Sequence, residues 1–173
     1  MEKRRINGLI IEENAVVGVE DKHITKAVIP NGVTYIGDYA FSDCECLTSV
    51  NIPDSVTYIG EAAFMHCKKL TSVTIPDSVT KIGDYTFSGC KNLTNVNIPD
   101  GVTYIGDYAF YKCLFLTSLT IPNSVTYIGD YAFANCTRLT SITIPESVIA
   151  LADSVVAGSI NLTSITFPKR FRT

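Results

Sequence analysis

The residues best able to do chemistry in this chain are its cysteines, carboxylates and two histidines, and most of the cysteines and carboxylates recur at a fixed step. Cys44, Cys67, Cys90, Cys113 and Cys136 follow one another at one constant interval, and only Cys46 stands outside the series. Thiolates that hold a metal cluster as C-x-x-C pairs, whereas these come one at a time. Stacking them would place the Cα atoms about 5 Å apart, a separation a disulfide can formally span. A small, reduced, core-filling thiol explains a one-per-repeat pattern better. Cys46 shares its place in the repeat with Lys69, Asn92, Phe115 and Arg138. It is therefore expected to be exposed and to be the reactive thiol of the chain.

The carboxylates are also columnar. Asp38, Glu61, Asp84, Asp107, Asp130 and Asp153 form one column, and Asp54, Asp77, Asp100 and Glu146 form most of a second, completed by Asn31 and Asn123. A carboxylate ladder can bind calcium. The glycine–aspartate nonapeptide of calcium-binding β-rolls is missing, however, so repeated capping and turn chemistry is the preferred role. No metal or cofactor is expected. His23 and His66 neither repeat nor sit in a catalytic motif. The chain has no G-x-S-x-G, phosphate loop or H-E-x-x-H. The expected protein is not an enzyme.

Positioning these columns requires a repeated element. All seven prolines, from Pro30 to Pro168, keep the step of the cysteines, as do Gly37, Gly60, Gly83, Gly106 and Gly129 and the phenylalanines from Phe41 to Phe133. The column from Leu47 to Leu162 keeps it too, opened by Ile24. Such a period marks a solenoid. In the unit LTSVTIPDSVTKIGDYTFSGCKN, Val73 and Ile75 alternate with Ser72 and Thr74, predicting a strand with one buried face. Pro76 ends that strand because it has no N–H to donate. Gly83 allows a tight bend, by positive φ or by close packing. Asp84 is expected to open a short helical turn and cap its free N–H groups. Phe87 and Cys90 close the core. With strands roughly 4.8 Å apart, six or seven rungs give a body on the order of 30 Å long. A lone rung cannot bury its core, so the ends need caps. Residues 1–23 are expected to cap the N-terminus with a β-hairpin over 9–19. Repeats fill 24–146, and 147–173 form a degenerate capping repeat in which Ala152, Val156 and Ser159 replace the column Gly, Phe and Cys.

The pattern C-x-x-L-x-x-[VI]-x-IP-x-x-V-x-x-IG-x-x-x-F, over roughly 24–168, resembles the BspA-like class of leucine-rich repeats. The resemblance implies an α/β, β-rich leucine-rich repeat solenoid. It implies a right-handed curved superhelix with a parallel concave sheet, and short strands and helical turns on the convex side. It also implies a bacterial surface role in adhesion or host-factor binding, although fold does not fix the partner.

Three surfaces remain. The wet side of the strands carries Ser72, Thr74, Asn95, Asn97, Ser118, Thr120, Ser141 and Thr143. They are either ordinary strand-favouring residues or an extended hydrogen-bonding face for a protein or a glycan. Its threonine regularity resembles ice-binding solenoids, but curvature and the mixed Ser/Asn column count against that use. Tyr35, Tyr58, Tyr104 and Tyr127 form one aromatic column broken by Lys81. Tyr39, Tyr85, Tyr108 and Tyr131 form another broken by Ala62. Stacking between rungs is their expected role, with a contact surface as the other. Tyr111, Leu114 and Phe115 form an apolar patch where other rungs are mostly polar. It is either a partner interface or one loop folded over its own rung.

The net charge of −3 argues against nucleic acid as a partner. The hydrophobic fraction of 46% argues against disorder, and no apolar run approaches the ~18 residues of a membrane span. The opening MEKRRINGLIIEEN is too short in its apolar part for a signal-peptide core. The expected location is therefore the cytoplasm, or the cell surface if an export signal lies outside this sequence. Asn92-Leu-Thr, Asn135-Cys-Thr and Asn161-Leu-Thr fit a glycosylation pattern but arise largely from the repeat. The sequence thus points to a non-enzymatic scaffold for protein–protein interaction. The alternative is a glycan-binding surface protein using the Ser/Thr/Asn face and the tyrosine columns.

Overall fold

A computed structural model describes residues 3–152 and 154–171. The chain opens with three antiparallel strands, β1 (Lys3–Ile6), β2 (Leu9–Glu12) and β3 (Ala15–Val19). The expected hairpin over 9–19 is β2–β3, and β1 adds a strand whose charged residues, Lys3, Arg4 and Arg5, hid it from a hydrophobicity reading. β3 then pairs in parallel with the first rung, so the meander is continuous with the stack.

Most rungs contribute a longer and a shorter strand. In chain order these are β4 (Lys26–Val28) with β5 (Tyr35–Ile36), β6 (Ser49–Asn51) with β7 (Tyr58–Ile59), and β8 (Ser72–Thr74) with β9 (Lys81–Ile82). Then come β10 (Asn95–Asn97) with β11 (Tyr104–Ile105), β12 (Tyr127–Ile128), β13 (Ser141–Thr143) with β14 (Ala150–Leu151), and β15 (Ser164–Thr166). Every pairing between rungs is parallel and joins equivalent repeat positions, as in Asn95 opposite Ser72 and Tyr104 opposite Tyr127. The proline after each longer strand stops it, and its carbonyl then accepts the N–H three residues on, as from Val79 to Pro76.

Between the strands lies the core. Phe41, Phe64, Phe87, Phe110 and Phe133 are fully buried and stacked, with ring centroids 5.1 Å apart for the first pair and 5.5 Å for the other three. The valine, isoleucine and leucine columns surround them. Burial at this scale is the main favourable term in folding, and the stack makes it continuous from rung to rung.

The helical turn expected after each glycine does not form. The third side of each rung is a staircase of turns, and the only helical element among the described residues is a 3-10 turn at Lys169–Phe171. Tyr39, Ala62, Tyr85, Tyr108 and Tyr131 have φ between 51° and 57°. Four residues on, Asp43, His66, Gly89, Lys112 and Asn135 again have positive φ. A left-handed residue every fourth position breaks any run of right-handed helix. The amides alternate as a result. Ala40, Ser42 and Cys44 donate three residues back, to Gly37, Tyr39 and Phe41, while Tyr39, Phe41 and Asp43 donate to Glu61, Ala63 and Met65 of the next rung. The inter-rung ladder outweighs the local strain of each left-handed residue.

None of Gly37, Gly60, Gly83, Gly106 and Gly129 has positive φ, and close packing explains all of them but Gly83, where an added Cβ would meet its nearest neighbour at an ordinary 3.5 Å. A Cβ on Gly60 would meet the Asp38 backbone nitrogen at 2.5 Å, and one on Gly129 the Asp107 nitrogen at 2.6 Å.

Candidate functional site

The cysteine column is structural. Cys44, Cys67, Cys90, Cys113 and Cys136 are fully buried free thiols. Four of them donate from Sγ to a phenylalanine carbonyl of the preceding rung: Cys67 to Phe41, Cys90 to Phe64, Cys113 to Phe87 and Cys136 to Phe110, at 3.1–3.3 Å. Ser159 makes the equivalent bond to Phe133 at 2.9 Å, so the exchange of Cys for Ser in the last rung preserves the donor. Burial raises the Cys44 thiol to about 11 and the Cys136 thiol to about 12. Cys46 is the one cysteine that is not buried.

The carboxylates after the glycines act between rungs. Asp38 Oδ1 accepts from the Glu61 amide at 2.9 Å, Asp84 from Asp107 at 3.0 Å, and Asp107 from Asp130 at 2.8 Å. Their capping is thus of the next rung's amide, where the sequence had placed it on a helical turn. Asp153, the last of the column, lies outside the described residues. Among the described residues no three His, Cys, Asp or Glu side chains converge as a ligand set for a metal. Asp43 is held below the usual carboxylate range mainly by its hydrogen bond with His66, whose Nδ1 lies 2.9 Å away.

The strand face contrasts two kinds of polar column. Threonines at the start of each longer strand use their hydroxyls within the molecule, Thr48 on the Thr25 carbonyl and Thr94 on Thr71. The shorter-strand columns do likewise, Thr57 on Thr34 and Thr126 on Thr103. Serines after the prolines do the same, as Ser124 on Val102 and Ser147 on Val125. Sequence reading did not assign these ladders a role, although their strict recurrence once per repeat was the available signal. By contrast Ser72, Thr74, Asn95, Asn97, Ser118, Thr120, Ser141 and Thr143 are all exposed. Among the described residues their side chains make no intramolecular hydrogen bond. They stand on either side of buried Val73, Val96, Leu119 and Ile142.

This face is not one continuous sheet. β8 pairs with β10, and β13 with β15, but residues 118–120 form only a single bridge, Thr120 to Thr143. Among the described residues, no backbone hydrogen bond crosses between 94–98 and 117–121. Asn95, Asn97, Asp100, Ser118 and Thr120 line a fissure of about 250 Å³ there.

Tyr111, Leu114 and Phe115 each meet a different environment. Tyr111 is edge-on to Tyr108 at 5.3 Å with Lys112 Nζ over its ring. Phe115 is 37% exposed and lies under the Arg138 guanidinium at 4.0 Å. Leu114 is half-buried. The tyrosine columns stack as expected, Tyr35 on Tyr58 at 4.6 Å, Tyr104 on Tyr127 at 4.7 Å, and Tyr85, Tyr108 and Tyr131 in series. Lys81 does not end its column, because its Nζ sits 4.6 Å over the Tyr104 ring.

A family profile described as BspA type leucine rich repeat region, in six copies, matches residues 19–115 and 57–173. Among solved structures, the chain is 30% identical to the T. pallidum leucine rich repeat protein, with a TM-score of 0.84 over 97% of this chain and 80% of that one. A leucine-rich repeat protein from Bacteroides ovatus is 31% identical, with a TM-score of 0.69 over 96% of this chain and 51% of that one. One from Eubacterium ventriosum shares the fold at 23% identity and a TM-score of 0.67, over 99% of this chain and 52% of that one. No curated protein matches the chain.

Proposed function

Because the chain belongs to the BspA type leucine-rich repeat family, whose repeat scaffolds typically mediate protein interaction or surface roles, we propose that it is a non-enzymatic scaffold that binds a protein partner through the strand face. One observation carries this reading. The hydroxyls and amides of Ser72, Thr74, Asn95, Asn97, Ser118, Thr120, Ser141 and Thr143 are exposed, while neighbouring polar columns are occupied by inter-rung bonds. A partner therefore meets a rigid grid of free donors and acceptors, with no bonds to break inside the scaffold before new ones form. In this reading the solenoid curves with that face inside, 1–23 and 147–173 cap the repeats at 24–146, and the cellular setting is surface adhesion or host-factor binding.

The Tyr111, Leu114 and Phe115 patch is a weaker partner site, because Tyr111 and Phe115 already have a tyrosine and an arginine against them. A glycan bound along the strand face is the alternative, favoured by the polar fissure between Asn97 and Thr120. Parallel binding of the chain to a panel of purified matrix proteins and to a glycan array separates the two. Saturable binding to a protein, weakened by Asn97→Arg with Thr120→Arg, supports the proposal. Binding confined to glycans replaces it with the alternative.

A further inference from the structure

A cavity lies on the turn side, away from the strand face, and its origin is legible in the columns. Met65, Ser88 and Tyr111 share one repeat position, and His66, Gly89 and Lys112 share the next. The middle rung therefore contributes small residues, Ser88 and Gly89, between two rungs of large ones. The result is a notch of about 480 Å³, within the range of small-ligand sites. Its two walls stand two rung spacings apart, about 9.6 Å, which is room for a single ring. Gly89 is needed for this shape. Its φ is +72°, and a Cβ there would come within 2.5 Å of the His66 ring.

The charged groups lining the notch are all basic, in a chain whose net charge is negative. Lys68 is paired with Glu45 at 2.5 Å, and His66 with Asp43 at 2.9 Å. Lys91 and Lys112 have no carboxylate partner among the described residues. The remaining polar lining is Ser88 and three phenols. Tyr85 and Tyr108 stack at 4.9 Å, and Tyr111 meets Tyr108 at 80°, forming an aromatic corner. Ammonium groups that lack a counter-ion, beside phenols and in a one-ring notch, fit an anion carried on a compact, hydroxyl-rich ring.

We infer that the notch at Ser88 and Gly89 binds a terminal acidic sugar, with its carboxylate toward Lys91 and Lys112 and its ring against the Tyr85, Tyr108 and Tyr111 corner. The site does not rest on the strand-face reading, and either can hold without the other.

Titration of the full chain, followed by amide NMR shifts, tests this with N-acetylneuraminic acid and glucuronic acid, with neutral glucose and N-acetylglucosamine, and with O-phosphotyrosine. The acidic sugars are expected to give saturable shifts at Ser88, Gly89 and Lys91. The neutral sugars should bind at least about tenfold more weakly, and Lys91→Glu with Lys112→Glu should lower acidic-sugar affinity by about tenfold or more. If that double variant melts at a lower temperature, Lys91→Gln alone should show a smaller loss in the same direction. No saturable shift with either acidic sugar overturns the site, as does equal affinity for neutral sugars. Tighter binding of O-phosphotyrosine also overturns it, in favour of a phosphopeptide.

Discussion

At the scale of single residues, the repeat converts reactive groups into structural ones. A buried thiol with a raised pKa stays protonated at neutral pH, and the thiol is a poor nucleophile. Mass spectrometry after brief alkylation under native conditions should therefore find Cys46 modified first, with the other five labelled only after denaturation. Equal labelling of all six would contradict the burial of the column. Glu61 is the second informative residue. It occupies an aspartate column but makes no bond to the Asp84 amide, where Asp38, Asp84 and Asp107 all bond to theirs. Its extra methylene carries the carboxylate past that N–H. Glu61→Asp should restore the cap and add about 1 kcal/mol of stability, read from the midpoint of urea unfolding. A loss of stability would show that this position needs the longer side chain. The cysteine burial was readable because a thiol in register with Phe and Leu shares their environment. The sulfur-to-carbonyl bonds were not. Cys67 bonds to Phe41, which is not its equivalent in the preceding rung but stands three positions before that equivalent, Cys44.

At the scale of elements, the longer strands were legible, and the shorter strands and the turns were not. Alternation of Ser72, Val73 and Thr74 with Pro76 behind them dictates a short half-buried strand. The turn that follows depends on non-glycine residues such as Tyr85 in a left-handed conformation. Bonds to the adjacent rung hold them there, so no local propensity reveals it. Two faults in the ladders coincide with departures from the repeat, although β6 and β8 are also unjoined. The pair β7 and β9 is unjoined where Glu61 and Lys81 interrupt their columns. The strand face opens in the rung of Leu114 and Phe115. Hydrogen exchange should accordingly be faster at the amides of Ser118 and Thr120 than at those of Asn95 and Asn97; equal protection would mean that the fault is closed in solution. The tyrosine ladder makes a separate prediction. Burial, then the charge of Asp84, raises the Tyr104 phenol to about 12, and Tyr58 and Tyr127 are also raised. An acid whose folded pKa exceeds the unfolded value of about 10 adds stability in full below that value. The contribution is lost as pH climbs through the folded value. Thermal midpoints should fall between about pH 10 and 12, in step with tyrosinate absorbance. Midpoints that hold steady while the rings ionise would remove the ladder from the stability account.

At the scale of the whole molecule, stacking separates what builds the protein from what it presents. Prolines, glycines, phenylalanines and cysteines build the rungs. The hydroxyl ladders bind each rung to the next. The residues left over are the strand face on one side and the notch on the other. The strand face was visible in the sequence as an alternation. The notch was hidden, because it is a deficit of side chain at Ser88 and Gly89 and takes its meaning from the rungs on each side, a full repeat away in the chain. The central claim is that the strand face is the recognition surface. It is tested most directly by measuring, on the same immobilised panel of purified matrix proteins, the affinity of the native chain, of a face variant (Asn95→Arg, Asn97→Arg, Thr120→Arg) and of a turn-side variant (Leu114→Lys, Phe115→Lys). All three should melt alike. With the strand face as the recognition surface, the face variant loses at least about tenfold in affinity while the turn-side variant keeps it. Retained binding by the face variant, with loss in the turn-side one, would contradict it.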